Sequence, residues 1–320
     1  VEVAKLKSYW LEKLAALKPH LHSPVPRKLI TERCCIVFDH QECFLVHVNH
    51  RPEKIEILHA QRCSYAELPD IFIKKNLNQV PIFLQLPVDD YHIFLIESLL
   101  VPDNELLAAL NWRIRSLIAY PVTDALVDYF KIPSKHSSIE NPMIAAVVVK
   151  KSHIESLLEK FSSVGLSITT IDIPEMAMRN LCTLYDMEEK SVALIAFFEK
   201  TVILNIAYKK TIYFTRKIPF TAEMIADQYE AFCLELLRYF DYFQTKWRTP
   251  SPKTVWMVSA HQDPDEIIKK MNQQVSISIE KYPLKKVLEY TKNNEAFDER
   301  FLLALGGALR EEVQYVSAGN

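Results

Sequence analysis

Residues 191–218 read SVALIAFFEKTVILNIAYKKTIYFTRKI. Three runs rich in β-branched and aromatic residues, Val192–Phe198, Val202–Tyr208 and Thr211–Ile218, are separated by the polar pairs Glu199-Lys200 and Lys209-Lys210. That punctuation predicts a three-stranded meander. The same design occurs earlier, at 32–60, as ERCCIVFDHQECFLVHVNHRPEKIEILHA. Its strands are expected near 32–39, 43–49 and 53–60. A helix and then a short apolar strand follow each meander. In the first half these are helix 65–77 and Val80–Leu86. In the second, Thr221–Trp247 reads as the longest helix of the chain and 254–259 as the strand. Ile225, Tyr229, Phe232, Leu236, Phe240, Phe243 and Trp247 recur at helical spacing along it. Pro250 and Pro252 stop it.

Between and around these units the pattern is also α/β. Leu6, Tyr9, Trp10, Leu14 and Leu17 mark one face of an N-terminal helix before Pro19. Tyr91–Leu100 leads to a helix starting at Pro102 or Asp103, with Leu106, Leu107, Leu110, Ile114 and Leu117 on one side. A polar loop at 133–142, a strand at 145–149, a helix at 151–164 stopped by Gly165, a strand at 167–173 and a helix at 174–185 complete the first half. Helix 263–273, strand 275–280 and a final helix from 297 close the second. Expected boundaries are 1–28 for the N-terminal helix and linker, 29–188 for a first unit with an inserted subdomain at about 91–170, and 189–320 for a second unit. Two βββαβ units facing one another are the plan of the actin-like, ribonuclease H-like architecture, an α/β fold with mixed sheets.

Composition narrows the chemistry. Of 320 residues only 4 are glycine, where average usage would give roughly 22. Loops that cradle phosphate need glycine, because a Cβ keeps the backbone away from the anion. Gly165, Gly306, Gly307 and Gly319 cannot build a P-loop, a G-x-G-x-x-G turn or a G-x-S-x-G elbow. The charge balance of 38 basic and 40 acidic residues gives no pull toward nucleic acid. No apolar run reaches 18 residues, and Glu199-Lys200 break the longest, so no membrane span is expected. No charged-then-apolar leader is read at the start of the sequence. Cys34, Cys35, Cys43, Cys63, Cys182 and Cys233 form no C-x-x-C pair and sit mostly in apolar runs. They are expected to be buried free thiols, as in a reducing compartment.

Other constellations read as structural. A hairpin centred on Arg51-Pro52 would pair His47 with Glu56 and place His47 and His59 on opposite faces. His47, His50, His59 and Cys63 are therefore not expected to bind metal. Asp89-Asp90 reads as a solvated loop pair and Cys34-Cys35 as strand core. Lys209-Lys210 and Arg248–Lys253 read as basic turns. The aromatic content of the long helix, with Tyr239, Phe240, Tyr242 and Phe243, exceeds one buried stripe, so an exposed remainder would be a self-association face.

The order of these elements resembles the PilM family, the actin-like cytoplasmic component of type IV pilus machines. The nearer branch is MshI, of MSHA-type pili, and the cytoplasmic domain of GspL is a more distant relative. The resemblance runs from about residue 30 to 310. Its clearest part is Leu99–Phe130, LLVPDNELLAALNWRIRSLIAYPVTDALVDYF. It continues through Ala145–Ile173, Arg216 after the second meander, Glu235, Leu236 and Arg238, Lys281-Tyr282-Pro283-Leu284, and Ala304–Arg310. The resemblance implies a non-catalytic adaptor, cytoplasmic and peripheral to the inner membrane, related to type II secretion components. It also implies that the protein binds the cytoplasmic tail of a PilN-like bitopic protein. That groove would lie in the first half, between the strand layer and the insertion. The pilus assembly ATPase and a second copy of the chain are further expected contacts.

Family members that bind Mg²⁺·ATP use a D-x-G turn in each unit and glycines near the adenosine. This chain departs at each. The first turn is Asp39-His40-Gln41-Glu42, with Asp39 (or, after a two-residue shift, Val37) at the carboxylate position and Gln41 at the glycine. In the second, Ala196 stands for the Asp and Phe198 for the Gly. The adenosine glycines fall near Ser259, Ala260 and His261, and Gly306-Gly307 alone survives. A degenerate cleft is expected, with no catalysis, no metal and no cofactor; Mg²⁺·ATP remains only for a cleft that still binds. The alternatives are an active actin-like ATPase, or an interaction protein or effector that borrowed the fold.

Overall fold

The computed structural model describes residues 31–310, apart from 40–41, 52–53, 98, 100, 134–142, 186–190, 209, 228, 260–263 and 285–296. The N-terminal helix expected at 1–17 and most of the 133–142 loop lie outside the described residues.

The first meander is β1 (Glu32–Asp39), β2 (Glu42–Arg51) and β3 (Lys54–Ser64). Helix α1 (Leu68–Lys74) leads to β4 (Ile82–Gln85). A second pass through α3 (Lys151–Ser163) reaches β8 (Ile168–Asp172), giving a sheet of order β3-β2-β1-β4-β8. The second unit repeats this plan. It has β9 (Val192–Phe197), β10 (Thr201–Tyr208), β11 (Thr211–Pro219), β12 (Thr254–Ser259) and β13 (Ser278–Lys281), in the order β11-β10-β9-β12-β13. In both sheets the meander is antiparallel and the last two strands add in parallel.

Between β4 and α3 lies a separate three-stranded sheet, β5 (Tyr91–Glu97), β6 (Ala125–Ile132) and β7 (Met143–Lys150), ordered β5-β7-β6. Helix α2 (Asp103–Ile114) covers it through Leu106, Leu110 and Ile114. The inserted sheet therefore ends at residue 150, short of the expected 170, because β8 pairs with β4 in the first large sheet. Strand β6 was not expected. It is buried on both faces, with Val127 beneath α2 and Leu126, Phe130 and Ile132 packed toward the second unit. A strand covered on both sides shows no polar alternation to read.

Two helices cross between the large sheets. Helix α4 (Pro174–Cys182) follows β8, and α8 (Leu302–Ala308), which comes after α7 (Pro264–Asn272), is the last described helix. Phe44, Val46 and Phe83 of the first sheet, Leu194 and Ile203 of the second, and both helices share one apolar cluster. On the outer face of the second sheet, Ile195, Leu204 and Phe214 pack with Phe232, Phe240 and Trp247.

That outer cover is not the single helix expected from Thr221 to Trp247. It is α5 (Ala222–Ala226) and α6 (Glu230–Trp247), broken at Tyr229, whose φ is +71°. Left-handed backbone costs a non-glycine residue about 1–2 kcal/mol. It is offset by burial of the Tyr229 ring, stacked on Phe220 with centroids 5.9 Å apart. Ile225, placed by periodicity on the buried stripe, is exposed. All six cysteines are buried and free.

Candidate functional site between the two sheets

Open α/β sheets take ligands beyond the carboxyl ends of their parallel strands. In the first sheet that end is marked by Val37, Gln85 and Asp172, which lie in one register across β1, β4 and β8. The β1–β2 turn and the head of α4 continue from it. In the second sheet the corresponding feature is the β9–β10 turn after Phe197.

The second turn lies between β9 and β10, where it was expected. Ala196 is buried on the inner face of β9 opposite Ile203. The Phe198 N–H donates to the Thr201 carbonyl at 2.9 Å and closes a tight hairpin. No residue from 198 to 201 has positive φ, so the turn makes no demand for glycine. The Phe198 ring instead packs, half-buried, against the inner cluster. In the first turn Asp39 is the last residue of β1, paired through its backbone with Glu42. Gln41, Ala260 and His261 lie outside the described residues.

Gly306 and Gly307 sit where α8 meets its neighbours. A Cβ on Gly306 would lie 2.3 Å from the Ala177 carbonyl oxygen, and one on Gly307 would lie 2.4 Å from Cys35 Sγ. Asn180 Nδ2 donates to the Gly306 carbonyl at 2.8 Å. Both glycines serve the approach of α8 to α4 and to β1.

Both carboxylates at the head of α4 are hydrogen-bonded, although Glu175 Oε1 is buried without a partner. Asp172 Oδ1 accepts from the Ile173 N–H at 2.9 Å, and Oδ2 accepts from Arg310 Nη1 at 2.8 Å. Glu175 is fully buried, and its Oε2 accepts from the Tyr91 hydroxyl at 2.5 Å. Lys217 of β11 donates from Nζ to the Val88 carbonyl and, at 2.9 Å, to the Tyr91 carbonyl. Burial raises the Glu175 carboxyl above the usual range against the pull of Lys217. Burial likewise lowers Lys217 to about 8, against the attraction of Glu175, Asp89 and Asp90. Gln85 is buried with neither side-chain polar atom paired. Among the described residues no group of three or more His, Cys, Asp or Glu is arranged to hold a metal ion.

Sequence reasoning missed Lys217, Glu175 and Tyr91 as a cluster. Glu175 left a faint signal, as a lone carboxylate in the apolar run Ile173–Met178. Tyr91 and Lys217 left none, because each reads as an ordinary strand residue. The histidine reading is also corrected. The turn is centred one residue later than expected, and a bulge follows His47, so His47 faces His59 directly. Their partners are Glu32, 3.2 Å from His47 Nε2, and Gln61, 3.0 Å from His59 Nε2. Asp90, read as solvated, is half-buried and meets His153 Nε2 at 2.9 Å.

No family model matches the sequence, and no curated protein matches it. Solved structures do. A chain of the PilM–PilN type IV pilus biogenesis complex superposes with TM-score 0.71 at 13% identity, over 89% of this chain and 98% of that one. An actin-like ATPase-fold protein of unknown function from Bacteroides thetaiotaomicron gives 0.49 at 9% identity, over 84% and 99%. The cytoplasmic domain of EpsL, an inner membrane component of the Vibrio cholerae type II secretion system, gives 0.45 at 11% identity, over 77% and 97%. The fold is actin-like, as the repeated meanders predicted.

Proposed function

We propose that this protein is a non-catalytic scaffold of a type IV pilus assembly machine, of the MSHA type, that holds the cytoplasmic tail of a PilN-like inner-membrane protein. The observation that carries the reading is the β9–β10 turn. Ala196 and Phe198 stand where a nucleotide site of this fold needs a carboxylate and an open backbone. The likeness in fold to a chain of the PilM–PilN complex supports the partner, and the sequence resemblance supports the MSHA branch. Among the described residues no helix is long and apolar enough to cross a membrane.

The docking groove belongs, in this reading, to the first half beside the inserted sheet. Strand β5 pairs only with β7 and leaves its other edge without a strand partner among the described residues. An extended tail can add to such an edge through main-chain hydrogen bonds. The test is fluorescence anisotropy with a labelled peptide of the cytoplasmic N-terminal tail of a PilN-like protein. A Kd of about 10 µM or tighter, near −7 kcal/mol, is expected. No saturation by about 1 mM would contradict the reading.

A further inference from the structure

The Lys217 ammonium joins parts of the chain that are otherwise separate. Its stem rises from β11 in the second unit. Its nitrogen reaches the Val88 carbonyl before the inserted sheet and the Tyr91 carbonyl at the start of it. It also lies 3.4 Å from the centre of the Tyr91 ring, a cation–π contact. The hydroxyl of the same tyrosine donates to Glu175 at the head of α4. The Glu175 main-chain carbonyl in turn accepts from Asn205 Nδ2 of β10 at 2.8 Å. The circuit runs from second unit to insertion to connecting helix and back to the second unit. Asp172, Asp89 and Asp90 surround it, and Asp172 is held by Arg310.

Hinged two-unit proteins are commonly closed by a ligand that bridges the halves. Here the chain supplies its own bridge. We propose that Lys217 is a built-in cation that pins the second unit to the insertion and to the head of α4, so that closure of the two units needs no ligand between them. The pin deepens the reading of a nucleotide-free scaffold, because a fixed arrangement presents a constant surface to a partner. It stands or falls separately from that reading, since its test involves neither nucleotide nor tail peptide.

The test is hydrogen–deuterium exchange on the full chain. Lys217→Met keeps the stem and removes the donors. Exchange should rise about tenfold at residues 88–92 and 174–178, and less than about twofold in β9 and β10. A uniform rise across the chain would reduce Lys217 to an ordinary stabilising group and overturn the pin, as would no change. Tyr91→Phe is the milder companion. It keeps the ring under the ammonium and cuts only the link to Glu175, so faster exchange confined to 174–178 is expected. Unchanged exchange there would contradict the circuit even if the lysine variant failed to fold.

Discussion

Gly306→Ala should cost this protein about 4 kcal/mol, a large share of the 5–15 kcal/mol that typically holds a folded protein together. The new methyl would sit 2.3 Å from the Ala177 carbonyl oxygen and 2.8 Å from its carbon. Both are backbone atoms of α4, so no rotamer relieves the overlap. The helices must part by about an ångström to restore ordinary contact. Parting them also stretches the Asn180–Gly306 hydrogen bond and opens the apolar cluster that α4 and α8 share with both sheets. Urea unfolding followed by circular dichroism reads the effect. A loss below about 1 kcal/mol would mean that the two helices do not meet at this point.

Gly307→Ala meets a different obstacle and should be rescuable. Its methyl would lie 2.4 Å from Cys35 Sγ, with Cys35 Cβ next at 3.5 Å. Cys35 is buried on β1, so the thiol has little room to turn aside. The single variant should lose about 2–3 kcal/mol by overpacking. Cys35→Ala removes the sulfur and leaves an ordinary contact. The double variant should therefore unfold within about 1 kcal/mol of the wild type, a strongly non-additive pair. Additive losses in the same urea measurement would show that the strain lies elsewhere.

These two glycines illustrate how much of the molecule was legible beforehand. In a chain with 4 glycines, an adjacent pair inside the apolar run 302–309 marks a close approach, although nothing in the sequence says to what. The meanders were readable because turns of charged residues punctuate strands of β-branched ones. Strand β6 was hidden by burial on both faces. The break at Tyr229 was hidden because apolar residues continue at helical spacing across it, although the left-handed turn leaves Ile225 exposed. The β2–β3 register failed on a turn centred one residue later and on a bulge, which shift pairing without altering composition. In the site, the strand pattern located the β9–β10 turn, and the resemblance to the family set Ala196 and Phe198 against its carboxylate and glycine. The Lys217–Tyr91–Glu175 circuit could not be read, because its members lie far apart in sequence and meet only when the insertion folds back against the second unit.

The cleft itself can be tested directly. Each charge-assisted contact missing from a phosphate site is worth about 1.5–3 kcal/mol, and millimolar affinity amounts to only about 4 kcal/mol in all. In the proposed reading, with Ala196 at the carboxylate position and Phe198 at the glycine, the missing contacts are enough to bring affinity to that level. Isothermal titration of the full chain with Mg²⁺·ATP should give no saturable heat up to about 1 mM. A one-to-one isotherm with micromolar Kd would contradict the account at its centre.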